Sequence, residues 1–242
     1  VAMGKGTVSR SSETLNPTSG TVSGSVATAD TGYKFAGWYK DENCTDQVGS
    51  NTKFVPTVKT SATYYAKFEP KQDVSYTVHY YEKGTTNKVA DDKTVQNQTF
   101  DTTVTETAKD ITGYNVVGAD EQSITLNAYN KEITFYYEAK TMTYTVRYLE
   151  QGTNKVLHNE KKIENVKFGS KVTETAVDIP GYTADVKEKT VGKLNYGNNV
   201  ITFYYVENQS VEIQYQVEAG QEIMGSVTLA SENVKPVSGT PD

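Results

Sequence analysis

One cysteine, Cys44, stands among 242 residues, so no disulfide within the chain can staple the fold. The lone thiol leaves the compartment open, because extracellular and cytosolic proteins alike are built with almost no cysteine. A basic excess is also missing: 24 Lys and Arg face 30 Asp and Glu, a net charge of −6. Binding along a nucleic-acid backbone needs clustered cations that displace counterions, so a nucleic-acid partner is set aside. No apolar run approaches the roughly 20 residues that span a bilayer, so the chain shows no membrane insertion. Histidine is scarce too. His79 and His158 have no second His or Cys at ligand spacing, which removes a metal site and a Ser/His/Asp nucleophile from consideration. The chain reads as non-enzymatic, with no cofactor. Apolar residues make up only 36 %, lean for one large core but adequate for several small modules that each bury a modest one.

What the chain does have is tyrosine and repetition. Eighteen Tyr and seven Phe join abundant Thr, a strand-forming composition. A slide of 68 residues lays "YTVHYYEKGT" (76–85) on "YTVRYLEQGT" (144–153), "VTETAKDITGY" (104–114) on "VTETAVDIPGY" (172–182), and "EITFYYE" (132–138) on "VITFYYV" (200–206). One fold is therefore written twice. Period-two alternation places Tyr76, Val78 and Tyr80 on the inner face of the first strand, with Tyr144, Val146 and Tyr148 their counterparts. In the closing strand the inner set is Ile133, Phe135 and Tyr137. Within "TVTETAKD" a short helix or helical turn is expected, Thr capping it and Glu106 or Glu174 in its first turn. Gly113 and Gly181 then allow a positive-φ backbone, so Asp-Ile-x-Gly-Tyr reads as a helix-to-strand connector and not as an active site.

The flanks carry a second module type. "ATYYA" (62–66) matches "ITFYY", and "GTVSRSSETLNPTSGT" (6–21) aligns without gaps to "GSVTLASENVKPVSGT" (225–240). Four parts follow: 1–70, a module expected to lack its first strand; 71–140 and 141–208, the two repeats; and 209–242, the start of a second flanking module. The short joints "EPKQDV" and "EAKTM" predict an elongated, semi-rigid string of modules. With no leader at its start and no sorting signal at its end, the chain is expected to be an internal slice of a longer protein.

Residues 76–138 and 144–206 resemble MucBP (mucin-binding protein) repeats of Gram-positive surface adhesins, which open with "YTVxYxExGT", carry "DIPGY" and close with an aromatic strand. The first copy departs by placing Thr112 where the pattern has Pro. Residues 26–68, "GYKFAGWY" through "YYAKF", resemble Listeria–Bacteroides repeats related to internalin B-repeats. The resemblance implies mostly β (α+β) modules of β-grasp, ubiquitin-like type in tandem. It also implies an extracellular, cell-wall-anchored adhesin in contact with host mucin or glycans.

Candidate contacts come from the alignment. Tyr65, Tyr136 and Tyr204 each fall on the outward face of a closing strand, and a tyrosine ring offers a sugar both an apolar body and a polar tip. Cross-strand packing is the competing use of those rings. Trp38 and Tyr39 form a second candidate; alternation puts Phe35 and Tyr39 on one face and Trp38 on the other, so one ring alone is expected in the core. Cys44 is expected to be a small buried hydrophobe. The acidic loop with Asp41, Glu42 and Asp46 lacks calcium-loop spacing and reads as solvated. A Lys–Asn isopeptide crosslink beside a buried carboxylate stays open, with no pair selected. The rivals to glycan binding are a stalk that sets reach, and a protein-recognition module that works by strand addition. Strand 211–217 is further expected to dock head-to-tail on residues 1–70 of a neighbour.

Overall fold

The computed structural model describes residues 1–57, 60–214 and 231–234. Among these residues every regular helix-or-strand element is a β-strand. They divide into two compact units, Val1–Asp110 with Val116–Glu138, and Ile111–Asn115 with the residues from Ala139 onward.

The first unit opens with β1 (Ala2–Met3), β2 (Gly6–Val8), β3 (Ser25–Ala29), β4 (Tyr33–Tyr39), β5 (Gln47–Gly49), β6 (Lys53–Phe54) and β7 (Tyr65–Pro70). A sheet ordered β1-β7-β4-β5 faces a three-stranded sheet ordered β2-β3-β6. Ala27, Trp38, Ala66 and Phe68 fill the space between them, with Phe35, Phe54 and Tyr64 packed on that cluster. The edge expected to be bare carries β1, which runs parallel to β7 with Ala2 opposite Ala66.

The first repeat follows as β8 (Val74–Glu82), β9 (Lys93–Gln98), β10 (Thr103–Thr107), β11 (Tyr114–Val117), β12 (Glu121–Thr125) and β13 (Glu132–Ala139). Its main sheet is ordered β11-β13-β8-β9, and β10 and β12 form a separate two-stranded ribbon. The expected inner faces are the buried ones: Tyr76, Val78 and Tyr80 on β8, and Ile133, Phe135 and Tyr137 on β13. Each such side chain taken fully out of water contributes about 1.5–3 kcal/mol. The first and last strands lie side by side and parallel, Thr77 opposite Glu132 through Glu82 opposite Tyr137. A module paired this way takes the chain in at one end and releases it at the other.

The helical turn expected at 104–110 is corrected. Those residues continue as β10, antiparallel to β12, with Thr103 opposite Thr125 and Thr107 opposite Glu121. Period two won over the capping signal. Thr103, Thr105 and Thr107 share the outer face, where hydroxyls bond across the ribbon, Thr103 to Thr125 at 3.0 Å and Thr105 to Ser123 at 2.7 Å. β-Branched threonines lose less freedom on a pleated surface than in a helix. The β-grasp expectation, which calls for a helix lying across the sheet, has none to rest on among the described residues.

The second repeat has β14 (Thr141–Glu150), β15 (Val156–Lys167), β16 (Val172–Thr175), β17 (Tyr182–Ala184), β18 (Glu188–Val191) and β19 (Asn199–Glu207). Its sheet is ordered β15-β14-β19-β17 with β16 and β18 as the ribbon, and β14 again runs parallel to β19. Tyr144, Val146, Tyr148, Ile179, Leu194, Ile201, Phe203 and Tyr205 form its core. Gly113 and Gly181 take φ of +85° and +81°, as the connector requires. Last, β20 (Val211–Gln214) pairs antiparallel with β21 (Ser231–Val234), Val211 opposite Val234. The described part of the tail strand thus finds a partner in its own chain; residues 215–217 lie outside the described residues.

Candidate functional site

Pairing register decides which outward side chains meet. On the first repeat, Tyr136 of β13 stands beside Tyr81 of β8, and Thr134 beside His79. Tyr136 is 45 % exposed. His79 and Tyr81 stack along β8, ring centroids 5.7 Å apart at 20°, and His79 Nδ1 lies 3.1 Å from Asp92 Oδ2. The outer face is therefore a row of flat rings flanked by a hydroxyl and a carboxylate. Such a surface suits the apolar face and hydroxyl rim of a sugar.

The second repeat presents a different face at the same place. Tyr204 of β19 stands beside Leu149 of β14, and Thr202 beside Arg147. Lys189 Nζ lies 5.6 Å from the Tyr204 ring centroid and 5.3 Å from that of Phe203, donates to Thr202 O at 2.6 Å, and pairs with Asp185 at 2.7 Å. Tyr204 is half-buried, its ring already holding a cation. Arg147 is bonded to Glu160 at 2.6 Å.

In residues 1–70 the structure brings two of the sequence candidates together and buries a third. Tyr39 and Tyr65 lie directly opposite on β4 and β7, which puts both on one face. Lys67 Nζ is 5.9 Å from the Tyr39 ring centroid and pairs with Glu69 at 2.9 Å. Trp38, by contrast, is core at 2 % exposure, stacked on Phe54 at 5.6 Å with Nε1 donating to Thr52 O at 3.2 Å. Simple alternation also separated Phe35 from Trp38, yet these rings pack together at 6.0 Å. The register shift between Phe35 and Gly37 explains it, because one extra residue in β4 turns the following side chains to the other face.

Cys44 is corrected as well. It is half-buried at a left-handed corner, φ 54°, outside the core. In the same loop Asp41 accepts from Thr45 N and Asp46 N at 3.0 and 2.7 Å, which spends the carboxylate on shaping the turn. Among the described residues no group of three or more His, Cys, Asp or Glu could hold a metal.

Sequence reasoning missed a buried constellation that occurs twice. Tyr76 OH donates to Glu106 Oε1 at 2.6 Å while Lys93 Nζ reaches the same carboxylate at 2.8 Å. Tyr144, Glu174 and Lys161 repeat it at 2.6 and 2.7 Å. Glu106 and Glu174 are 8 % and 7 % exposed. Each glutamate comes from the ribbon and each Tyr and Lys from the main sheet, so the triad ties the two layers together. Burial alone would raise the Glu106 and Glu174 carboxyls, but lysine and tyrosine outweigh it and hold both below the ordinary value. Burial and the glutamate push Tyr76 and Tyr144 up to about 12. The available signal was an invariant spacing, Glu on the inward phase of "VTET" in both copies. Two loop tyrosines also escaped notice: Tyr129, 94 % exposed, and Tyr196, 55 %, the latter with Lys140 Nζ 5.4 Å from its ring centroid.

The fold has relatives in sequence. The Listeria-Bacteroides repeat domain model matches residues 2–67, and the MucBP domain model matches residues 76–138 and 143–206. A search of the curated proteins finds no match. Among solved structures, the Bacillus anthracis TIE protein shares 11 % identity at a TM-score of 0.39, over 69 % of this chain and 39 % of that one. The chain thus spans about two fifths of that relative's length. Mub-RV shares 14 % identity at 0.22, over 55 % of this chain and 98 % of that one. The type 2 repeat of the mucus binding protein MUB from Lactobacillus reuteri shares 12 % at 0.23, over 55 % and 99 %. With its two matched segments together exceeding half the chain, the protein belongs to the MucBP domain family.

Proposed function

We propose that this chain is a non-catalytic repeat region of a bacterial surface adhesin, extracellular and cell-wall-anchored through parts outside this sequence, that binds mucin glycans weakly at each module. The observation that carries the reading is the tandem pair of MucBP domains, each with a tyrosine on the outer face of its closing strand. Net charge is −6, which opposes sialylated or sulfated glycans at long range, so attraction has to be local and each contact weak. Linked weak sites gain effective concentration without any new contact, and avidity over repeats supplies the strength.

The test is binding of the whole chain to immobilised mucin and a glycan array beside the Tyr136→Ala/Tyr204→Ala double variant. Specific binding abolished in the variant supports the reading and its site. Retained binding moves the site to other residues, Tyr39 with Tyr65 or the loop tyrosines first. Absence of binding by the multimerised chain overturns the adhesin reading in favour of a stalk. Strand addition has one observation in its favour, the two-stranded ribbons β10–β12 and β16–β18, and an extended peptide bound there would survive the tyrosine double variant.

A further inference from the structure

The Gly-Tyr corner does more than connect two strands. In the first unit Gly32 O accepts from Lys71 N at 2.9 Å, and Lys71 O accepts from Phe100 N at 2.8 Å. One linker residue is thereby held on both sides. The Phe100 ring lies over Gly32 so closely that a Cβ at this position would overlap it. Tyr33 meets the same ring edge-on, centroids 5.5 Å apart at 74°, and its hydroxyl donates to Asp101 Oδ2 at 2.6 Å.

The second unit contains the same set. Lys140 N donates to Gly113 O at 2.9 Å and Phe168 N to Lys140 O at 2.8 Å. A Cβ on Gly113 would come within 2.5 Å of Phe168 Cδ1, and Tyr114 meets Phe168 edge-on at 5.6 Å and 81°. After each Phe the chain turns through a left-handed residue, Asp101 at φ 62° and Gly169 at φ 77°. At a third corner Asn208 N donates to Gly181 O at 2.8 Å.

Gly32 and Gly113 sit at φ +84° and +85°, where a side chain is strained. The phenyl ring seated on each excludes a side chain a second time, by direct contact. We propose that the Gly-Tyr corner is a docking socket: glycine forms its floor, tyrosine its wall, and it accepts the phenyl ring of the module that follows in the chain. The recurring pentapeptide is then the receiving half of a coupling whose inserted half is Phe100 or Phe168. Modules joined by short linkers move freely unless an interface holds them, and this socket is the element that holds them.

The first socket, Gly32 with Phe100, is the one to test, in the full chain with Cys44→Ser. Spin labels at Asn51→Cys and Thr86→Cys report the distance distribution between residues 1–70 and 71–138, and labels at Thr86→Cys and Ala128→Cys report on the repeat alone. Phe100→Ala should broaden the first distribution by about twofold or more, as expected once an interface that suppresses domain motion is lost, and leave the second unchanged. Tyr33→Ala and Gly32→Ala, which leave 71–138 untouched, should broaden it likewise and decide the matter if Phe100→Ala disturbs its own module. Gly32→Ala should add nothing on top of Phe100→Ala, because the two act at one contact. An unchanged first distribution in all three single variants overturns the socket. So does an equal, additive effect of Gly32→Ala in both backgrounds, which would assign the change to backbone strain.

Discussion

Glu106 and Glu174 show how one side chain sets the behaviour of a module. Each is buried, accepts from a tyrosine hydroxyl and pairs with a lysine whose head remains half in solvent. Hydrogen bonds to charged groups contribute about 1.5–3 kcal/mol, so Glu106→Gln or Glu174→Gln should lower stability by roughly that amount, read as a shift in urea midpoint at constant slope. Tyr76→Phe removes a donor to the same charged carboxylate and should likewise cost about 1.5–3 kcal/mol. The pH dependence has two limbs. The glutamates have depressed folded values, so their stabilisation is present above the ordinary carboxylate range and is lost as pH falls through the folded value, below the reference of 4.5. Tyr76, Tyr144 and Tyr205 are raised from 10.0 to about 12. A raised acid stabilises fully below the unfolded value, and that contribution disappears as pH climbs from 10 to 12. Alkaline titration followed by tyrosinate absorbance should therefore show a late group of tyrosines ionising together with loss of sheet signal in circular dichroism. Smooth, independent ionisation of every tyrosine near 10 would contradict the buried triads.

Between elements, the decisive feature is the parallel contact of first and last strands. β8 with β13, and β14 with β19, form the centre of each main sheet and carry most of the aromatic core. Phe203 on β19 is fully buried and stacked on Tyr148, centroids 6.1 Å apart. Phe203→Ala should cost about 3–5 kcal/mol and unfold the second repeat at a lower temperature than the first, giving a split melting curve. A single unshifted transition would show that the core around Phe203 does not govern that repeat. The ribbon strands β10 and β16 were read from sequence as a helical turn because Thr followed by Glu two or three residues on also describes an N-cap. What distinguishes the two outcomes is where glutamate's carboxylate is satisfied. The backbone of a helix start was the local option; tyrosine and lysine thirty and thirteen residues away in chain were the better one. Far-UV circular dichroism should show sheet without a helical double minimum.

For the whole molecule, valence would set apparent affinity. The two repeats share a core but not an outer face: His79, Tyr81 and Tyr136 on one, Arg147, Leu149, Lys189 and Tyr204 on the other. If both faces contact mucin, either single substitution, Tyr136→Ala or Tyr204→Ala, should lower apparent affinity on a dense mucin surface by on the order of a hundredfold, the gain that linkage supplies. On a sparse monovalent glycan surface the loss should be confined to the substituted repeat's own contact. Equal losses on both surfaces would argue for a single binding face instead of a linked pair. No helix among the described residues is long and apolar enough to cross a membrane, so nothing in them competes with mucin for a lipid surface by that route.

The 68-residue repeat, the inward phase of Tyr76, Val78, Tyr80 and Phe135, and the outward phase of Tyr136 were legible in the chain alone. Their cause is local, the two-residue period of a pleated strand against one buried face. The sequence also marked Gly113 and Gly181 as positive-φ turns, since no longer-range fact is needed for that. Three things waited for the tertiary structure. Trp38 entered the core because a bulge in β4 shifted the phase by one residue, which alternation cannot register. Glu106 and Glu174 turned inward because tyrosine and lysine from another sheet met them there. Gly32 and Gly113 received a phenyl ring from outside their own module, a second reason for glycine that lay with Phe100 and Phe168. Each depends on atoms distant in sequence and adjacent in space, and their meeting is set by strand register and by the packing of one layer on another.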